Sequence, residues 1–193
     1  MAYRSNHILF SASAVLGLPT AFFACPFGFD KLKKKSSGSD SKDSDGKTTP
    51  GELIFINGVS CIPHDSKKAK GGEDGWCATD RLIVVADGVG GWAEQGVDPG
   101  LFSKQLCKDI QSLFEQDSKV SLKEILVKAV EMNKNVGSST AVLASLEGTD
   151  TLKTTNLGDS GYVIFRASKE GKKVELAKQF RSVEQQYRFN FPY

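Results

Sequence analysis

Four acidic residues stand beside glycines at points where apolar segments begin or end. Glu73 and Asp74 follow a glycine pair, Asp87 ends the apolar segment RLIVVAD, and Asp159 lies in the segment GDSG. A carboxylate at the end of a buried strand is costly unless positive charge meets it. Neighbouring glycines allow backbone, water and substrate to come close to such a group. This combination indicates a site for a cation.

Carboxylate and carbonyl oxygens are the ligands that Mg²⁺ and Mn²⁺ prefer. Two such ions about 3.5–4 Å apart can share a bridging hydroxide that attacks phosphorus, and they neutralise charge on the phosphoryl oxygens. Such chemistry needs no protein nucleophile. Each acidic motif taken alone is more typical of a solvated turn, so only their combination points to metal-dependent hydrolysis.

The elements that must position these acids follow from periodicity and turn residues. Asp98-Pro99 has the N-cap and first-turn pattern of a helix, and Ser121 with Glu124 has that of a second helix. Apolar residues follow each cap at helical spacing. Strand-like segments separated by turn residues are predicted at 53–56, 76–78, 81–87, 140–146, 151–157, 162–167 and 174–180.

The order of these elements predicts an α+β fold. Strands come first, two helices follow, and a run of strands with short connections ends the chain, which favours antiparallel sheet with helices packed outside. Short turn-forming segments usually join antiparallel neighbours. Asp159 is therefore expected at the tip of a hairpin between segments 151–157 and 162–167.

Taken together and in this order, four motifs closely resemble the metal-dependent protein phosphatase (PPM, or type 2C) family. They are GGED, DGVGGW, GSSTA and NLGDSG. The first two, with the final RSVEQQYRFNFPY, look like the branch that includes mitochondrial phosphatases. The resemblance covers about residues 51–193. It implies an antiparallel β-sandwich flanked by helices (αββα) and hydrolysis of phosphoserine and phosphothreonine in protein substrates through a metal-bridging hydroxide.

The resemblance also implies roles for individual residues. Asp87 would bridge two Mg²⁺ or Mn²⁺ ions, and the Gly88 carbonyl and Glu73 would bind one of them. Asp74 would act through metal-bound water, and Asp159 would lie near a weaker third metal position. Thr140 would have a structural part. The catalytic set is thus Asp87, Glu73 and Asp74.

The sequence departs from the family pattern in two ways. Lysines (Lys67, Lys68 and Lys70) stand where many members place a phosphate-binding arginine, so a point charge replaces a planar fork. The family domain also continues with two further metal-binding aspartates, one in a DGxWDN segment, which this sequence lacks. The domain is therefore expected to be truncated, and the alternative function is a catalytically inactive phosphatase-like protein that acts by binding.

A third interpretation takes the GDSG segment at 158–161 as the nucleophile loop of a trypsin-like protease. That mechanism needs a histidine base and an orienting acid. His64 is the sole histidine within residues 51–193, and no set of paired cysteines is evident. The protease interpretation is therefore disfavoured.

Composition excludes several other classes of function. The 193 residues carry a net charge of only +2, which makes no case for nucleic-acid binding. The four cysteines form no C-x-x-C pair and there are only two histidines, which argues against a structural zinc site. Reduced thiols in an intracellular compartment are the simplest interpretation.

The first fifty residues differ from the rest. Residues 8–29 contain no charged side chain and are long enough to cross a bilayer, so 1–30 is predicted to be a targeting or anchor segment. A mitochondrial presequence, a membrane anchor with the domain facing the cytoplasm, and a secretory signal cut near Ala24 are the three alternatives. The alternative to any targeting or anchoring role is that this segment is buried in the protein core. Residues 31–50 lack large apolar groups and are predicted to be a flexible linker. Residues 51–193 are predicted to be the N-terminal part of a PPM-type phosphatase domain.

Overall fold

The computed structural model describes residues 8–13, 53–170, 173–188 and 191–192. These residues form two antiparallel sheets, a two-stranded ribbon and two α-helices. The strands are β1 (Ile8–Ser13), β2 (Asp74–Ala78), β3 (Leu82–Asp87), β4 (Ala141–Glu147), β5 (Thr151–Leu157), β6 (Gly161–Glu170), β7 (Lys173–Arg181), β8 (Gln186–Arg188) and β9 (Phe191–Pro192). The helices are α1 (Pro99–Gln116) and α2 (Leu122–Met132).

The first large sheet has the strand order β2-β3-β4-β5. Its centre is apolar and β-branched, because β3 reads LIVVAD and all but the last residue of β4 are buried. Strands covered on both faces need apolar side chains on both faces, and β4 meets that requirement. Burial of these strands therefore fixes the register of strand pairing, including the pairing at the end where the acids lie.

Both α-helices begin at the predicted caps. The Asp98 side chain accepts a hydrogen bond from Gly100 N at 3.0 Å, and Ser121 Oγ accepts one from Glu124 N at 3.2 Å. Helix α1 packs on β2 and β3, and α2 packs on α1, β4 and β5. Their buried faces form one core with the sheet, which includes Leu82, Val84, Leu106, Ile110, Ile125 and Leu143.

The second large sheet has the order β1-β6-β7. Buried Tyr162 on β6 joins it to the first sheet, because its hydroxyl lies 2.7 Å from Thr154 Oγ1 on β5. Gln185 N donates to Gly158 O at 2.9 Å across the same boundary. Helices outside antiparallel sheets are the predicted arrangement, and the prediction of an α+β fold is confirmed.

Two local predictions were wrong. Residues 53–56 are not a strand: Leu53 N and Phe55 N make single bonds to Gly148 O and Asp80 O, at two turns of the first sheet, so no ladder forms. The connection at Asp159 is not a hairpin, since β5 and β6 belong to different sheets. Its turn residues signalled a change of direction but carried no information about which strand becomes the neighbour.

Six residues of the predicted targeting segment, Ile8–Ser13, form β1 and pair antiparallel with β6. The remainder of segment 1–30 and the predicted linker 31–50 lie outside the described residues. None of the helices in the described ranges is long and apolar enough to cross a bilayer. The division into targeting segment, linker and phosphatase domain stays a prediction.

Candidate metal-binding site

The sheet register brings the predicted acids together. Asp74, the first residue of β2, is the direct antiparallel partner of Asp87, the last residue of β3. Glu73 immediately precedes β2, and its carbonyl accepts a hydrogen bond from Gly88 N at 3.2 Å. Residues that are 13 positions apart or more in sequence thus meet at one end of one strand pair.

The backbone around Asp87 is held by two hydroxyl side chains. Asp87 N donates to Thr140 Oγ1 at 3.1 Å, and Ser139 Oγ donates to Asp87 O at 2.8 Å. Thr140 in turn lies 2.6 Å from Ser160 Oγ in the interior. These bonds agree with the structural part predicted for Thr140. Ser139 was not predicted, although it lies in the GSSTA motif that singled out Thr140.

The backbone at Glu73 is supported from α1. Ser103 is fully buried, and its hydroxyl donates a hydrogen bond to the Glu73 carbonyl. Lys104 Nζ donates to Gly72 O at 2.9 Å and to Lys70 O at 3.3 Å. Sequence analysis missed both residues, because a serine and a lysine within an amphipathic helix carry no signal of this contact.

Glycines in the DGVGG loop make room for the acids. A Cβ atom on Gly88 would lie 2.6 Å from Glu73 O and 2.8 Å from Pro99 O. A Cβ atom on Gly90 would lie 3.1 Å from Glu73 Oε2. The loop therefore approaches Glu73 more closely than a larger residue would allow, as expected where backbone and ligand share a confined space.

Asp87 lies in an electrostatic environment that opposes its negative charge. Burial is the largest of the causes that together raise its pKa from the ordinary value of 3.8 to about 7. The others are the charge of Asp74, a hydrogen bond with Asp74, and the charges of Asp159 and Glu73. The structure therefore brings all four acids within interaction range. A cation among them would favour the ionised form of Asp87 and offset this repulsion.

Asp159 reaches the site from the connection between the two sheets. A Cβ atom on the preceding Gly158, whose φ is +88°, would lie 2.9 Å from Thr140 Cγ2. This tight contact places the connection against the strand start that also supports Asp87. Asp159 thus comes from the connection between the two sheets, whereas the other three acids lie at one end of the β2–β3 strand pair.

One ammonium group lies within the acidic cluster. Lys67, on a 3₁₀ helix at Asp65–Lys70, forms an ion pair with Glu73 Oε2. The neighbouring Lys68 instead pairs with Asp65 at 2.6 Å on the surface. The side chain of Glu73 is 13% exposed and that of Lys67 is 33% exposed, so this pair is partly shielded from water.

The donor set fits a hard divalent cation in kind. Glu73, Asp74 and Asp87 offer carboxylate oxygens, and Gly88 offers a backbone carbonyl at the same strand end. Within the described ranges, no three His, Cys, Asp or Glu side chains are already arranged as a metal-holding group. The register therefore brings the four donor residues to one sheet end without arranging their side chains around a single point.

The protease interpretation is wrong for the described residues. His64 Nδ1 lies 2.9 Å from Ser66 Oγ on the exposed 3₁₀ helix, whereas Ser160 is buried with its hydroxyl against Thr140. A Ser-His-Asp mechanism needs the histidine to contact the serine. The GDSG segment therefore does not form a nucleophile loop.

Several known proteins similar to this chain are named as phosphatases. No family model matches the chain. Probable protein phosphatase 2C 55 of Arabidopsis thaliana is 40% identical over 159 residues, covering 80% of this chain and 32% of that protein. Protein phosphatase PTC7 homolog fig of Drosophila melanogaster is 37% identical over 172 residues, covering 81% of this chain and 50% of that protein.

A solved phosphatase structure has a similar fold. The photosystem II phosphatase PBCP matches with a TM-score of 0.57 and 34% identity over 68% of this chain and 51% of that one. The chain spans between about a third and a half of the length of these relatives. Similarity at this level, together with the ordered acidic motifs, shows common descent. Over most of its length, the chain is therefore homologous to part of proteins of the protein phosphatase 2C family.

Proposed function

We propose that this protein takes part in metal-dependent hydrolysis of phosphoserine and phosphothreonine in protein substrates. The observation that carries the proposal is the convergence of Glu73, Asp74, Asp87 and Asp159, whose mutual repulsion calls for a cation. The phosphatase names of the relatives support the same activity. They favour it over the alternative of an inactive protein that acts by binding.

The chain's own residues would divide the work by position. Asp87, Glu73 and the Gly88 carbonyl would hold Mg²⁺ or Mn²⁺, Asp74 would orient water beside it, and Asp159 would serve a more peripheral position. The bound ions would supply an activated water and neutralise charge on the phosphoryl oxygens. The complete domain is expected to hold two ions. The Lys67 ammonium would lie close enough to attract the substrate phosphate.

Replacing Asp87 tests this function directly. Asp87→Asn keeps the shape of the side chain but removes the charge shared among the ligands. In a version that carries the complete domain, hydrolysis of a phosphothreonine peptide in the presence of Mn²⁺ should therefore fall to the level seen with chelator. Asp150→Asn, an exposed acid on the β4–β5 turn, is the matched control and should hydrolyse as the parent does. Hydrolysis retained by Asp87→Asn would contradict the ligand assignment.

We also propose that residues 1–30 direct the protein to mitochondria. The segment has serines at 5, 11 and 13 and no acid before Asp30, which is typical of presequences, whereas its single arginine and Pro19 are not. Membrane association through residues 8–29, with the domain facing the cytoplasm, is the alternative. Residues 1–50 fused to a fluorescent protein should colocalise with a mitochondrial matrix marker. Recovery of the fusion in other membranes would contradict the proposal.

A further inference from the structure

We propose that Lys67 is an internal counter-cation, paired with Glu73 while metal is absent and released when a divalent ion takes that carboxylate. The inference rests on the proposed metal site and concerns how that site is filled. Metal binding would then be an exchange of one cation for another. As a consequence, the lysine would lower the affinity of the site for the metal ion.

The geometry places the lysine where a metal ligand would have to act. Lys67 Nζ pairs with Oε2 of Glu73, the carboxylate assigned to the metal. Both atoms lie against the DGVGG loop, since a Cβ on Gly90 would be 3.1 Å from that oxygen and 3.3 Å from the ammonium nitrogen. The ammonium therefore occupies the same confined corner as the Glu73 oxygen.

The pairing answers an electrostatic need that the other acids create. Glu73 is 13% exposed and lies within range of Asp87. An ionised carboxylate left unpaired in such surroundings would destabilise the fold. Lys67 offsets that cost in the metal-free chain, and a divalent ion shared with Asp87 would offset it more fully. The two cations thus compete for one carboxylate.

The surrounding contacts allow the lysine side chain to leave without moving its helix. Lys104 fixes the end of the 3₁₀ helix by donating to Lys70 O and Gly72 O. The helix itself buries no residue, and Lys67 keeps 33% of its side chain exposed, so solvent lies beside it. A flexible four-carbon stem can therefore carry the ammonium out to water.

Mn²⁺ titration of the 193-residue chain by calorimetry tests the competition. Lys67→Met removes the competitor and should tighten Mn²⁺ binding about two- to fivefold, the range of one ion pair that is partly exposed. Lys68→Met removes an equal charge one residue away, which pairs with Asp65 instead, and should leave the affinity unchanged. Lys67→Arg keeps the competing charge and should bind Mn²⁺ as the parent does.

Amine labelling of the parent chain tests release itself. Reductive methylation followed by peptide mass spectrometry should show Lys67 labelled more on addition of Mg²⁺, with Lys68 labelled equally with and without it. Lys67→Met affinity equal to that of Lys68→Met, or unchanged labelling of Lys67, overturns the exchange while leaving the metal site intact. A parent chain that binds no Mn²⁺ overturns the exchange and the proposed function together.

Discussion

The proposed metal site depends on the charge state of a few acids at one sheet end. The pKa of Asp87 is raised, because its carboxyl is buried and faces three other carboxylates. In the absence of a cation this arrangement stores unfavourable electrostatic energy in the folded chain. A site that costs stability when empty gains stability when filled, which links metal binding to folding.

The raised pKa of Asp87 predicts how the stability of the metal-free chain depends on pH. Below about pH 4 the carboxyl is protonated in both the folded and the unfolded chain. As the pH rises towards 7, the unfolded chain releases this proton while the folded chain retains it. The folded chain therefore becomes less stable as the pH rises from about 4 to about 7, because it must then hold a proton that the unfolded chain has released.

Urea unfolding of the metal-free chain at about pH 5 and pH 8 checks this prediction. The parent should lose more stability between the two values than Asp87→Asn does, since asparagine has no proton to exchange. Saturating Mg²⁺ should reduce the difference by favouring the ionised form. Equal pH dependence in the parent and the variant would show that Asp87 is not the responsible group.

At the scale of elements, the site depends on how closely β2 approaches α1. A Cβ atom on Gly75, the second residue of β2, would lie 2.5 Å from Ser103 O and 2.9 Å from Lys104 N. Both neighbours belong to helix backbone, which cannot turn aside as a side chain could. Ser103 and Lys104 also hold the backbone next to Glu73, so this contact positions the acidic cluster.

Gly75→Ala should therefore destabilise the chain by about 1–3 kcal/mol, the usual cost of overpacking. Displacement of β2 from α1 should also weaken Mn²⁺ binding, because the supports of Glu73 move with the helix. Gly91→Ala is the control, since a Cβ there has nothing within 4 Å. Denaturant unfolding measures both variants, and a Gly75→Ala chain as stable as Gly91→Ala would disprove the close contact.

At the scale of the whole molecule, the site spans the boundary between two sheets. Asp159 comes from the connection that leaves β5 and enters β6, whereas the other acids belong to the first sheet. Buried Tyr162 fixes that boundary through its hydroxyl contact with Thr154. The ring of Tyr162 also lies 5.5 Å from that of Phe180 on β7, so it contacts both sheets.

Tyr162→Phe removes the hydroxyl while keeping the ring, and it should cost about 1 kcal/mol, the typical net value of one hydrogen bond. A double-mutant cycle with Thr154→Val isolates the bond between the sheets from other contacts of the tyrosine. The combined variant should be more stable than the sum of the two single losses predicts. Additive losses in denaturant unfolding would show that the two hydroxyls do not interact.

The sequence by itself determined most of the local structure and predicted the chemical nature of the site. The caps at Asp98 and Ser121 and most of the strands depend on neighbours a few residues away, so their patterns were sufficient. The acids Glu73, Asp74, Asp87 and Asp159 were found for the same reason: glycines and strand ends adjoin them in sequence. The carbonyl assigned to Gly88 followed from the family motif.

Only the tertiary structure decided which distant residues meet. The pairing of Asp74 with Asp87, the crossing from β5 to β6 and the support of Glu73 by Ser103 join positions that no local pattern relates. The same holds for Lys67, because the sequence alone does not show which of the three nearby lysines pairs with Glu73. Burial and the carboxylates around Glu73 select one of them, because electrostatic interactions depend on distance in space and not along the chain.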